Sequence, residues 1–263
     1  MPPDTRRWRR WSPVSAPTRR SPSPPTTHGR SPGAMRASTL LSESLAVLGK
    51  ELISELRSRV ALNAIGLFGV TTLIVVAYQI GPYQIQEQDR PHLLSALLWI
   101  ILFFAATSGL SRVFVKEEDA HTAKALRLAA RPLAVFAGKY LFNLILLIAL
   151  FTLIVPLYCA LMGYAVRGVA GLVLVLAAGA VALAATATIV AAIIARASGS
   201  TTLFAILSVP LVLPLLVMLI QGTRAAAASA ELAAVVPALQ GVVSLGGAVL
   251  TVSVYLFPVV WHD

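Results

Sequence analysis

Charge is what this sequence has least of. Only 12% of its 263 residues are Asp, Glu, Lys or Arg, while 57% are apolar and the mean hydropathy is +0.81. Soluble domains carry about a quarter charged residues, so the composition excludes that class and describes a polytopic membrane protein. Cysteine is nearly absent: Cys159 stands alone in an apolar run, which excludes an internal disulfide and a thiolate-built metal site. The phosphate loop GxxxxGK[ST] is missing. Its nearest match is Gly138-Lys139, followed by Tyr140 and with Leu133 where the first glycine should stand. Any ATP chemistry therefore belongs to another subunit. No CxxCH occurs, so covalent haem attachment is excluded.

The expected spans also lack Asp, Glu, Lys, Arg and His in their central parts. Their polar residues are Asn63, Gln79, Asn143 and scattered Ser and Thr. Buried acid/base chemistry needs ionisable groups at depth, so the chain does not read as an enzyme and no directly bound cofactor or metal is expected. Of the four histidines, His92 stands at the mouth of the second span, where it is either a polar anchor or a ligand to haem iron.

The net charge of +10 does not point to nucleic acid, because its location is terminal. Residues 1–37 hold eight basic residues and one acid, leaving +3 for the other 226. That tail is rich in Arg, Pro and Ser with no apolar period, and is expected to be disordered. Met35 opens a sequence suited to a natural start, so the tail reads as an over-extended gene start. Residues 38–263 are expected to form the membrane domain.

From Leu40 to Arg59, leucines at 41, 45, 48, 52 and 56 step by three or four, while Glu43, Lys50, Glu51, Glu55, Arg57 and Arg59 take the other faces. This is an amphipathic helix too charged to span, expected at the interface with leucines toward acyl chains and cations toward lipid headgroups. Apolar stretches of spanning length follow at 61–80, 93–110, 140–164, 169–195, 201–221 and 237–260. The fourth is rich in Ala and Gly, which predicts a place inside the bundle. The fifth carries Pro210 and Pro214, four apart on one face. Each removes a helix hydrogen bond, and the kink is either a moving part or a structural bend.

The one strongly charged segment between spans is 112–139. It holds Arg112, Lys116, Lys124, Arg127, Arg131 and Lys139 against Glu117, Glu118 and Asp119. The excess of Lys and Arg marks the cytoplasmic side. Outer connections hold Arg90, Arg167 and Arg224, against seven cations in the inner ones, so both termini are expected to be cytoplasmic. Within the segment, Glu117, His121, Lys124 and Arg131 share one helical face, and Val115, Thr122, Leu126 and Ala129 another. Two readings remain open here: a surface docking helix, or a solvated loop with helical bias.

Two stretches carry a family resemblance: LWIILFFAATSGLSRVFVKEEDAHTAKALRLAARPLAVFAGKYLFNL (98–144) and RASGSTTLFAILSVPLVLPLLVMLIQGT (196–223). They resemble the haem exporter B (CcmB) family, from about Leu41 to the end of the chain. The resemblance implies an all-α fold of the type-2 ABC exporter kind, with six transmembrane helices, an N-terminal interfacial helix and a cytoplasmic coupling helix. It implies the membrane subunit of an ABC complex of cytochrome c maturation in the bacterial inner membrane. Expected partners are a cytoplasmic ATP-binding cassette subunit, a Trp-rich haem-handling membrane protein, a periplasmic haem chaperone, a second copy of the chain and membrane lipid. ATP acts through the partner, and haem is the possible cargo. Lys116, Glu117, Glu118, Asp119, His121, Lys124 and Arg127 then become the ATPase-docking residues. The alternative is the membrane subunit of another type-2 exporter, moving lipid, polysaccharide or drug.

Overall fold

The computed structural model describes residues 40–80, 86, 88–110, 131–196 and 201–262. Among the described residues seven α-helices follow one another: α1 (Leu40–Ser58), α2 (Val60–Ile80), α3 (Arg90–Leu110), α4 (Pro132–Met162), α5 (Val169–Arg196), α6 (Thr201–Ala228) and α7 (Val236–His262). One 3₁₀ turn, Leu232–Val235, leads into α7. No strand occurs among the described residues. Six helices, α2 to α7, are long and apolar enough to cross a membrane, as the hydropathy pattern predicts. The tail, the expected boundary at 37/38 and segment 112–130 lie outside the described residues.

Two boundaries differ from the expectation, each for a local reason. The third span begins at Pro132 and not Tyr140. Proline fixes φ at a helical value and has no N–H to lose, so it suits the first helical position, while Arg131 before it is extended at φ −67°, ψ 144°. The fifth span, α6, runs on to Ala228, because Ala225 to Ala228 are the best helix formers available. At its other end α4 closes on Gly163, at φ 58°, with the Tyr164 N–H bonded to the Cys159 carbonyl. That left-handed position suits glycine.

Packing follows residue size. α5 is the inner helix, touching α4, α6 and α7, and 67% of its spanning window is buried against 22% for α2 and α7. Ala180, Ala182, Ala184, Ala185, Ala191 and Ala192 are all buried, which bears out the small-residue reading. At Gly179 a Cβ would lie 2.7 Å from the tip of the Trp99 ring. The missing side chain is what admits the indole between α3 and α5. α1 packs chiefly on α4.

Candidate functional site

The seven residues expected to dock an ATPase, Lys116, Glu117, Glu118, Asp119, His121, Lys124 and Arg127, lie outside the described residues. The structure does describe the place where that segment re-enters the bundle, and there it puts an arrangement of charges between α1 and α4.

α1 sorts its charges by sign. Ser44, Val47, Glu51 and Glu55, spaced three, four and four apart, form the buried stripe. Lys50 and Arg57 are exposed, beside exposed Leu41, Leu45, Ile53 and Leu56. The acids go inward because each meets a specific donor.

Glu43 meets the start of α4. Its Oε2 accepts the Arg131 N–H at 3.3 Å, and its Oε1 lies 3.8 Å from Arg131 Nε. A carboxylate there also opposes the positive end of the α4 dipole. Glu51 meets Lys139, one residue eight further along each helix. Lys139 Nζ donates to Glu51 Oε1 at 3.0 Å, with the side chains 0% and 8% exposed. Between the two pairs, Val47 sits on Gly138. A Cβ at Gly138 would stand 2.6 Å from Val47 Cβ and 2.9 Å from the Ser44 carbonyl oxygen, so glycine is what lets the helices close far enough for the ion pair.

Glu55 completes the set at the elbow to α2. Its Oε1 accepts the N–H groups of Ala61 at 2.7 Å and Leu62 at 3.0 Å, which otherwise have no partner in the first turn of α2. Arg59, between the two helices, takes φ 54°, a conformation that costs a non-glycine residue about 1–2 kcal/mol. The carboxylate cap helps hold that turn. α1 is thus bonded to α2 and α4 by its three acids.

This corrects the reading of Lys139 as part of the wet segment: it is fully buried in the second turn of α4. Hydropathy along one strand of sequence cannot show a neutralising partner on another helix. A signal was nevertheless present. Glu43 and Glu51 stand eight apart, as do Arg131 and Lys139, a spacing that places each pair on one helical face.

At the opposite end of the bundle a second polar set joins α3, α4 and α6. Trp99 Nε1 donates to Thr223 Oγ1 at 2.8 Å, and the Tyr158 hydroxyl donates to the Leu94 carbonyl at 2.7 Å. Ser95 Oγ gives its one proton to the Pro91 carbonyl at 2.6 Å and so accepts from the Tyr164 hydroxyl at 2.7 Å. Trp99, Tyr158, Ser95 and Thr223 are all buried. Midway, Asn143 Nδ2 donates to Thr188 Oγ1 at 2.9 Å, a bond of the kind that ties membrane helices together.

The two prolines of α6 lie inside a continuous helix, both on its exposed side. His92 is exposed in the first turn of α3. Among the described residues no group of three His, Cys, Asp or Glu gathers in metal-binding range.

The family model described as CcmB protein matches residues 42–259. The chain belongs to the CcmB family. The match starts in α1 and ends in α7, so the α1–α4 clamp formed by Glu43–Arg131 and Glu51–Lys139, the elbow and all six spans lie within the CcmB region. Searches for relatives among curated proteins and among solved structures give no match. CcmB proteins are membrane subunits of ABC transporters for haem export in cytochrome c maturation, and are not themselves catalytic enzymes.

Proposed function

We propose that this chain is the permease subunit through which a partner ATPase drives haem export or, the reading we favour, the release of haem-loaded periplasmic chaperone. The observation that carries this is the CcmB match across α1 and every spanning helix. The ATP-binding cassette subunit docks on the segment holding Lys116, Glu117, Glu118, Asp119, His121, Lys124 and Arg127. Both termini then face the cytoplasm and the protein sits in the bacterial inner membrane, beside a Trp-rich haem-handling protein, the chaperone and a second copy of itself.

The clamp supports a route for the motion. The docking segment is followed at once by Arg131, which Glu43 grips, and by Lys139, which Glu51 holds. A push on the segment is delivered to α1 and α4 together, and through Glu55 to α2. Chaperone release is favoured because no pair of histidines stands within the spanning stretches of the sequence to hand haem iron across.

The test is co-purification of the ATPase with the chain carrying E117K/E118K/D119K. The reading expects the ATPase to be lost while the membrane subunit remains monodisperse. Undiminished co-purification would sink the docking assignment.

A further inference from the structure

We infer that the outward face of α1 holds the headgroup of an anionic phospholipid, in the groove formed by Lys50, Ile53, Ser54, Arg57 and Ser58. The groove is open to the outside of the bundle, and it combines two cations with two hydroxyls at spacings of four, three and one on a single helix. A phosphodiester needs that chemistry: positive charge for its oxygens and hydroxyl donors to fix them. Ile53, which lines the groove, is itself exposed, and gives an acyl chain an apolar contact beside the two cations.

Depth agrees with this assignment. α4 has 31 residues and needs only about 20 of them to cross the apolar core of a bilayer. Its far end is fixed near Met162, whose carbonyl accepts the Arg90 guanidinium at 3.4 Å. Counting back puts the other boundary of the core near Asn143, so Lys139 and its partner Glu51 stand at headgroup level. Lys50 adjoins Glu51 on α1, with its Nζ 3.6 Å from Glu51 Oε1.

The sorting of charge explains why the groove favours an anion. The acids of α1 are turned into the bundle and its cations outward, so a phosphate meets Lys50 and Arg57 without facing Glu43 or Glu55. Lys50 Nζ also lies 3.6 Å from Glu51 Oε1, the atom that Lys139 holds at 3.0 Å. A bound phosphate competes for Lys50 and leaves Glu51 more fully to Lys139. Lipid charge thereby bears on the clamp, independently of whether the transporter reading holds.

The experiment uses the full chain in nanodiscs of phosphatidylcholine with a minor fraction of phosphatidylglycerol, and counts retained lipids by native mass spectrometry. The wild type should enrich phosphatidylglycerol. K50Q/R57Q should lower that enrichment roughly thirtyfold, given the usual contribution of a basic residue near an anionic surface. K50R/R57K should keep it, and excess inorganic phosphate should leave the lipid in place. Equal enrichment by wild type and K50Q/R57Q would overturn the proposal and leave the basic face to a protein partner. Loss in K50R/R57K as well, or displacement by inorganic phosphate, would overturn it too. Both positions are exposed, and size-exclusion profiles check that the variants remain folded.

Discussion

Lys139 and Glu51 form an ion pair at 3.0 Å between α4 and α1, with the lysine wholly out of solvent. Such a pair contributes less to stability than its contact suggests, because desolvating both ions offsets their attraction. Removing one partner is different, since it leaves a buried charge.

Lys139→Met is therefore expected to destabilise the α1–α4 contact by about 3–5 kcal/mol. The double variant E51L/K139M should recover most of that loss, because no charge remains buried. Thermal unfolding in detergent measures both. A double variant as unstable as the single one would contradict the pairing.

Gly138 is the second point of closure. Gly138→Ala places a Cβ against Val47, and overpacking of this kind costs about 1–3 kcal/mol. Val47→Ala made in the same chain should relieve part of it. A double-mutant cycle showing strict additivity would mean that the two residues do not meet.

The six spanning helices, the inner position of α5 and the existence of α1 were legible because each rests on composition within one segment. Twenty apolar residues, an alanine-rich run and a leucine period are local signals. The clamp was less legible. Lys139 follows a segment rich in charge, and only the position of Glu51 on another helix shows that it is buried and paired. The same holds for Trp99, which reads as one more apolar residue until Gly179 and Thr223 supply its slot and its acceptor. Leucines of α1 behaved oppositely to soluble helices: Leu41, Leu45 and Leu56 are exposed while Ser44, Glu51 and Glu55 are buried, since apolar side chains facing outward meet lipid.

Pro210 and Pro214 remove two hydrogen bonds one turn apart on the exposed side of α6. P210A/P214A is expected to leave assembly with the ATPase intact and to slow ATP-dependent turnover. Steady-state hydrolysis by the reconstituted complex reports it. Wild-type turnover would show that the prolines bend the helix without taking part in motion.

The most direct test of the central claim is a haem stain for covalently bound c-type cytochromes in cells with and without this gene. The account predicts that c-type haem disappears while apocytochromes are still made, and that the full chain and residues 35–263 both restore it. Normal c-type cytochromes in cells lacking the gene would contradict a role in their maturation.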